Sequence, residues 1–165
     1  MVFQPDQCWT LERVPKSLEP GPPYLLQNAK QDITVGRKVG SNDKICQGAN
    51  VSRSHLRFVR SVSGNGDVSD WQNIRWSVED LGGLCGTFVN LNRIEPNNAF
   101  GLNCGDLIGI GCPEKQSSRT SKIEKFVYRI KSPEAYRMQA APADVEVEED
   151  APTPPPADTT EDNDV

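Results

Sequence analysis

The sequence predicts an all-β fold, a sandwich or barrel built from many short strands. Short runs rich in β-branched and aromatic residues alternate apolar with polar positions, as half-buried strands do. Clusters of Gly, Asn and Asp separate these runs and supply turns, and no stretch keeps a helical period over three turns. In such folds the binding residues cluster on loops at one end of a rigid scaffold.

Eight segments carry the strand pattern. The clearest is Ile74–Asp80, in which apolar and polar residues alternate throughout. The run that begins at Asp32 is short and β-branched and ends at Gly36. The predicted strands are Cys8–Val14, Asp32–Val35, Leu56–Arg60, Ile74–Asp80, Thr87–Val89, Ala99–Phe100, Leu107–Ile110 and Phe126–Ile130.

Composition divides the chain into a domain and a tail. A hydrophobic fraction of 36 % in 165 residues can supply one core and not two. Residues 139–165 contain Ala, Pro, Thr and acidic residues but no Leu, Ile or aromatic residue, so they cannot bury enough apolar surface to offset their chain entropy. We therefore expect a β-sandwich domain over residues 1–138 and a disordered acidic tail over residues 139–165.

The net charge of −5 is unevenly distributed between these two parts. Nine of the 23 acidic residues and none of the 18 basic residues lie in the tail, which leaves the domain with a net charge of about +4. A mildly basic domain favours an anionic ligand without specifying which one. Nucleic acid is disfavoured, because this excess is modest and the sequence has no strip of basic and aromatic residues.

The five cysteines predict a reducing compartment. An odd count with no close pairs disfavours both a disulfide framework and a structural zinc site, and free cysteines then act as small apolar residues. The start of the chain has no basic region followed by an apolar stretch, and no apolar run reaches membrane length. We expect a cytoplasmic or nuclear protein without a membrane anchor, metal or cofactor.

Four short motifs occur in a fixed order along the predicted strands. Gly36-Arg37 ends one strand, and Ser52-Arg53-Ser54-His55 begins fifteen residues after Arg37. Gly86-Thr87 and Gly105-Asp106 follow. In order and spacing these motifs resemble the forkhead-associated (FHA) family, and the resemblance extends from Trp9 to Ile130. It implies a sandwich of two β-sheets whose loops at one end bind a phosphothreonine peptide.

The residue types suit such a ligand. A phosphate group carries about −1.5 to −2 charges and three strong acceptor oxygens. Arg37 offers a planar fork of donors, Ser52 offers a hydroxyl, and Lys38 and Arg53 could add charge. The alternatives are an exposed arginine neutralised by an acid and a turn serine bonded to its own backbone. The resemblance favours the phosphate role for both.

Other motif residues have a structural interpretation. His55 is the single histidine, and the resemblance implies that it holds the binding loop by hydrogen bonds. Gly86 supplies a backbone conformation closed to other residues, Thr87 belongs to a core strand and Asp106 to a turn. Because no acid–base pair, Gly-rich phosphate cradle or metal cluster is evident, we expect no enzymatic activity.

The chain departs from the family before Gly86. The family has an Asn there that binds the peptide backbone, whereas this chain has Cys85, preceded by Leu84. A cysteine is a poor donor and acceptor beside an amide. Two functions therefore remain: a phosphothreonine-binding adaptor, or a divergent FHA domain that acts as a phosphate-independent interaction or dimerisation module.

One segment carries a narrower resemblance. Asn92-Arg93-Ile94-Glu95-Pro96, followed by Gly105-Asp106, is similar to the FHA module of RING-finger ubiquitin ligases that act at DNA breaks. The chain has no Cys/His ladder of the kind a RING needs. The resemblance implies a nuclear adaptor in DNA-damage signalling with a phosphothreonine-containing protein as its partner.

The tail contains threonines in contexts that kinases favour. Thr159 and Thr160 lie among acidic residues, and Thr153 precedes a proline. A phosphothreonine there could dock in the binding site of the same or a second molecule, which would give a homodimer in the latter case. The alternative is a solubilising spacer.

Overall fold

The computed structural model describes residues 7–14, 22–64, 66–111 and 126–140. The described part of the chain contains eleven strands, a 3-10 turn at Trp71–Asn73 and one helix, joined by loops. The elements are β1 Trp9–Arg13, β2 Tyr24–Leu26, β3 Asp32–Gly36, β4 Lys44–Ile45, β5 Leu56–Val62, β6 Ile74–Asp80, β7 Thr87–Val89, β8 Asn92–Arg93, β9 Ala99–Gly101, β10 Leu107–Ile110, β11 Phe126–Lys131 and α1 Pro133–Ala140.

Two sheets form a sandwich, as the sequence predicted. One sheet has six strands in the order β2-β1-β11-β10-β7-β8, and the other has five in the order β4-β3-β5-β6-β9. All the pairings are antiparallel except that of β3 with β4. The longest pairing joins β5 to β6 over seven residue pairs, from Leu56↔Asp80 to Val62↔Ile74.

The core lies between the inward faces of the two sheets. Trp76, Phe58 and Tyr128 are its largest fully buried side chains. The alternation read in Ile74–Asp80 places Ile74, Trp76 and Val78 in this core, because every second residue of a strand faces the same side. The four described cysteines are free: Cys8 and Cys46 are buried, whereas Cys85 and Cys104 are exposed.

Buried cations lie beside the core aromatic rings next to β4. The Lys44 ammonium lies 5.0 Å from the ring centroid of Tyr24 and 4.8 Å from that of Tyr128. The Arg13 guanidinium lies 4.2 Å from the Phe126 centroid and donates to the Tyr128 hydroxyl at 3.2 Å. Burial raises the pKa of Tyr24 to about 12, and the nearby Asp43 carboxylate adds to the shift. The Lys44 contacts hold β4 against the six-stranded sheet, whereas the Arg13 contacts join β1 and β11 within that sheet.

The eight predicted strands are present, while β2, β4 and β8 were not predicted. Helix α1 has eight residues, about two turns, which is too short to show a helical period over three turns. The predicted domain boundary at residue 138 falls inside α1, and the predicted tail beyond Ala140 lies outside the described residues. In the described ranges no helix is both long enough and apolar enough to cross a membrane.

Candidate phosphopeptide-binding site

Two loops meet at one end of the sandwich because Gly36 has no side chain. A Cβ atom at Gly36 would collide with the backbone carbonyl of Arg53. With the backbones in contact, the Arg37 N–H donates to the Ser52 carbonyl at 3.0 Å and the Lys38 N–H to the Arg53 carbonyl at 3.2 Å. The two motifs that the sequence separates by fifteen residues are therefore adjacent in space.

The charged side chains of these loops point to solvent. Arg37, Lys38 and Arg53 are exposed, and within the described residues none of them takes part in an ion pair. Their backbones are held by two amide side chains that sequence reasoning missed. The Asn42 amide donates to the carbonyls of Lys38 at 2.9 Å and Arg53 at 2.7 Å, and Gln47 donates to the Arg37 carbonyl at 3.1 Å.

Asp43 closes the loop that carries Arg37 and Lys38. Its carboxylate accepts from the Thr34 N–H at 2.8 Å, from the Thr34 hydroxyl at 3.1 Å and from Lys30. Partial burial raises the pKa of Asp43, but the hydrogen bonds from Lys30 and Thr34 outweigh it and leave the pKa below its ordinary value. The loop is therefore fixed at its base by an ionised carboxylate.

His55 joins the Ser52 loop to the loop that follows β6. It is fully buried; its Nδ1 accepts from the Ser52 N–H at 3.0 Å, and its Nε2 lies 2.9 Å from the Gly86 carbonyl. Since Nδ1 is an acceptor here, the hydrogen-bond network assigns the ring proton to Nε2, which donates to Gly86. Both ring nitrogens are hydrogen-bonded to backbone groups of the protein, as expected of a residue that positions the loops.

The third loop is shaped by the buried carboxylate of Asp80 and by Gly83. Asp80 Oδ1 accepts from the N–H groups of Gly82 at 2.7 Å and Gly83 at 3.1 Å. A Cβ atom at Gly83 would lie 2.9 Å from both the Ser52 Oγ and the His55 Cε1 atoms. The Ser52 hydroxyl therefore lies directly against the Gly83 backbone, which the sequence did not reveal.

The rim of this loop carries Leu84 and Cys85. The Leu84 side chain is 95 % exposed, and the Cys85 thiol is free and exposed. Gly86 follows at φ +75°, a conformation that favours glycine, and a Cβ there would collide with the Arg93 guanidinium. Arg93 also donates to the Leu84 carbonyl at 3.4 Å and is a fourth exposed cation without an ion pair in the described ranges.

Thr87 and Asp106 have structural positions, the first in β7 and the second in the turn before β10. Thr87 is fully buried at the start of β7. Asp106 accepts from the Asn103 N–H and from the Asn90 amide, each at 2.8 Å, and so holds the turns that flank β7 and β10. These positions agree with a strand residue and a turn residue.

Residues 33–111 match the family model described as FHA domain. The chain carries an FHA domain. Domains of this family are phosphothreonine-binding modules. The matched residues contain all three loops of the candidate site, and β1, β2 and β11 complete the six-stranded sheet outside them.

Curated relatives also carry FHA domains or ubiquitin-ligase names. E3 ubiquitin-protein ligase RNF8 of Bos taurus is 26 % identical over 81 % of this chain and 26 % of its own length. The rnf8-A protein of Xenopus laevis is 30 % identical over 66 % of this chain and 18 % of its own length. An FHA domain-containing protein of Arabidopsis thaliana is 37 % identical over 48 % of this chain and 18 % of its own length. This chain thus spans about a quarter or less of these relatives.

Solved FHA domains share the fold. The MEK1 FHA domain, solved in complex with a phosphothreonine peptide of HOP1, superposes with a TM-score of 0.53 at 14 % identity, covering 75 % of this chain and 95 % of that one. The FHA domain of CT664 from Chlamydia trachomatis gives 0.52 at 18 % identity, covering 76 % and 97 %. At these identities the likeness concerns the fold alone.

The loop cluster of this FHA domain offers donors and positive charge. It combines exposed cations, the Ser52 hydroxyl and backbone N–H groups on a hydrogen-bonded scaffold, which suits an anion with several acceptor oxygens. Within the described residues, no group of three His, Cys, Asp or Glu side chains could hold a metal ion. The donors and cations of the loop cluster therefore suit the binding of an anion.

Proposed function

We propose that this chain is a phosphothreonine-peptide-binding adaptor module in nuclear signalling, such as the DNA-damage response. One observation carries the proposal: Arg37, Lys38 and Arg53 lie on two loops tied together by backbone hydrogen bonds, and none of them is neutralised in the described part of the chain. Unpaired cations held on a prearranged scaffold favour a polyanionic group, because the scaffold has already lost its conformational freedom.

The roles of the individual side chains follow from their chemistry. Arg37 provides a bidentate, permanently charged donor, and Ser52 provides a neutral donor held against Gly83. Lys38 and Arg53 add charge at the periphery. Three charge-assisted hydrogen bonds at about 1.5–3 kcal/mol each give a gross gain of about 5–9 kcal/mol. Ordering a flexible peptide removes much of this gain, so we expect micromolar affinity.

Cys85 and Leu84 supply the case for the alternative function. They occupy the rim where the family has an amide that binds the peptide backbone, and a thiol and a leucine cannot form those hydrogen bonds. In the alternative, the domain uses this rim as a phosphate-independent contact with another protein or with a second copy. The phosphate-binding function has the stronger support, since three exposed cations without an ion pair in the described ranges lie on hydrogen-bonded loops.

A peptide titration tests the function. Phosphothreonine peptides and matched unphosphorylated peptides would be titrated against the wild-type chain and Arg37→Ala by calorimetry. We expect binding only with phosphate and about a hundredfold loss in Arg37→Ala, from about 3 kcal/mol of lost charged hydrogen bonds. Arg129→Ala is the matched control, because Arg129 is an exposed arginine on β11.

Phosphate-independent binding, or equal binding by wild type and Arg37→Ala, would reject the phosphate-binding function and favour the alternative. The nuclear setting rests on the resemblance of Asn92–Pro96 to RNF8-type FHA modules and is tested separately. A fluorescent fusion should accumulate at induced DNA breaks, and its Arg37→Ala variant should not. Accumulation of both proteins alike would contradict this role.

A further inference from the structure

A groove lies at the open side of the sandwich where both sheets end. Strands β8 and β9 are the terminal strands of the six- and five-stranded sheets, and the segment between them connects the two. The groove has a volume of about 380 Å³. Its lining residues are Asn92, Arg93, Ile94, Glu95, Asn98, Ala99 and Phe100.

The groove begins where the candidate phosphopeptide site ends. The Asn97 N–H donates to the carbonyl of Asp80 at 2.8 Å, and Pro96 forms a β-bridge with Asp80, the residue that shapes the third binding loop. Arg93 lines the groove and donates to the carbonyl of Leu84 on the same loop. A peptide that crosses Leu84 therefore reaches the groove without leaving the protein surface.

Within the described residues, the outer edge of β9 has backbone groups that no neighbouring strand pairs with. The Leu102 N–H donates to the Trp76 carbonyl at 2.9 Å, so the alternation of an antiparallel ladder places the Phe100 N–H and carbonyl toward β6. The same alternation turns the N–H and carbonyl groups of Ala99 and Gly101 outward. All three residues of β9 are exposed, and the Phe100 side chain is 45 % exposed.

We propose that this groove is a second subsite for the bound phosphopeptide, which takes an extended segment flanking the phosphothreonine. The inference rests on the proposed function. The flank adds a strand to β9, packs an apolar side chain on Phe100 and places a carboxylate near the Arg93 guanidinium. The pairing with β9 holds the peptide backbone, and so compensates for the backbone contact that an Asn at position 85 would make.

Edge length and charge favour a tethered flank over a second copy of the chain. A specific dimer commonly buries about 1,200–2,000 Å², far more than a strand of three residues can supply. A flank anchored through its phosphate is held near the groove at high effective concentration, so a few hydrogen bonds and one charge pair suffice. The groove is lined by Arg93, which is in no ion pair of the described ranges, and by the Glu95 carboxylate, which accepts from Asn98; the acidic residue of the flank therefore lies at the Arg93 end.

The experiment compares peptides that share one phosphothreonine core. The short peptide has three residues on each side. Longer peptides add about eight residues on one flank or the other, composed of alternating Val and Glu, of alternating Val and Lys, or of Gly and Ser. Each is titrated calorimetrically against the wild-type chain, Phe100→Ser, Arg93→Gln, Arg37→Ala and the control Arg129→Gln.

In the wild-type chain we expect the Val/Glu extension on one flank to bind about tenfold more tightly than the short peptide, and the Gly/Ser extension to give no gain. Phe100→Ser should abolish most of that gain while binding the short peptide as the wild type does. Arg93→Gln should remove the preference for Glu over Lys in the flank. Arg37→Ala should weaken peptides of every length.

The outcomes separate this subsite from the function on which it rests. If binding requires phosphate and Arg37 but no extension increases affinity, the groove proposal is overturned and the function stands. A gain that persists in both Phe100→Ser and Arg93→Gln also overturns it. If no peptide shows phosphate-dependent binding, the proposed function fails and the subsite fails with it.

Discussion

Gly83 determines where the Ser52 hydroxyl can lie. Its φ is outside the left-handed region, but a Cβ would lie 2.9 Å from Ser52 Oγ and 2.9 Å from Cε1 of the buried His55 ring. Gly83→Ala should therefore displace the Ser52 hydroxyl and press on the His55 ring, which accepts from the Ser52 N–H. We expect phosphopeptide affinity to fall about tenfold, from the loss of about 1.5 kcal/mol of hydrogen bonding.

Calorimetry with the short phosphopeptide measures this loss, and Gly101→Ala is the control. Gly101 has no atom within 4 Å of its added Cβ and is exposed. Urea unfolding checks that both variants remain folded. Unchanged affinity in Gly83→Ala would mean that Ser52 does not contact the phosphate.

Cys85 limits affinity because it cannot donate to or accept from the peptide backbone as an amide can. Cys85→Asn should add two hydrogen bonds of about 0.5–1.5 kcal/mol each and tighten phosphopeptide binding by about tenfold or more. Cys85 is exposed, so the fold should tolerate the change. Titration of Cys85→Asn beside Cys85→Ser tests this, and equal affinity of wild type and Cys85→Asn would contradict it.

At the level of strands, sequence patterns predicted the longer elements and missed the shorter ones. The alternation of Ile74–Asp80 is intrinsic to a strand with one buried face. Strands β4 and β8 have two residues each, too few to alternate. The turn joining β7 to β8 has Asn90 at φ +48° and Leu91 at φ +75°, where a sequence signal would normally be Asn-Gly.

The motif residues of the candidate site could be predicted from the sequence, whereas the side chains that hydrogen-bond to their loops could not. Gly36, Arg37 and Ser52 stand at recognisable spacing, and the structure brings them together. Arg93 looks like any exposed basic residue of a polar segment, and only the register of the β7–β8 hairpin places it over Gly86. Asn42 likewise has no local sequence signal, because both carbonyls it binds are set by the docking of two loops.

The loop between β3 and β4 depends on the charge of Asp43. The folded pKa of this carboxyl is below its unfolded value of about 3.9, so its contribution to stability is complete above that value. The contribution is lost as the pH falls through the lower, folded pKa. In urea unfolding between pH 7 and 2.5, wild type should exceed Asp43→Asn in stability at neutral pH, and the difference should decrease as the pH falls below about 3.9.

The same variant should bind phosphopeptide more weakly at pH 7, because the loop that carries Arg37 and Lys38 loses its ionised anchor. Asp67→Asn is the control, since the pKa of Asp67 is likewise lowered, by hydrogen bonds from Ser69, in a turn outside the candidate site. A stability difference between wild type and Asp43→Asn that is independent of pH would contradict the role assigned to the charge.

For the whole molecule, charge separates two parts of one chain. The domain has an excess of about four positive charges, and the nine acidic residues after residue 138 more than balance it. If the tail has the disorder that its composition predicts, its tether to the binding site would raise its effective concentration there to about a millimolar. Unphosphorylated, it offers carboxylates but no phosphate, so it should compete weakly with a phosphopeptide.

Phosphorylation should turn the tail into a competing ligand. About 19 residues separate Ala140 from Thr159, and the disordered tail predicted from the composition would span roughly 25 Å over that length. With a site affinity near 10–100 μM and an effective concentration near 1 mM, a docked phosphothreonine should weaken binding of an external phosphopeptide by about ten- to a hundredfold.

Titration of the kinase-treated chain against the untreated chain measures this competition. A variant with Ala at Thr153, Thr159 and Thr160 should show none of it after the same treatment. Exchange of tails between molecules should also produce a dimer at high protein concentration, visible by light scattering after size exclusion, and Arg37→Ala should abolish it. If the treated chain binds external peptide as tightly as the untreated chain and elutes at the same size, the docking of the tail is rejected and the tail is a spacer.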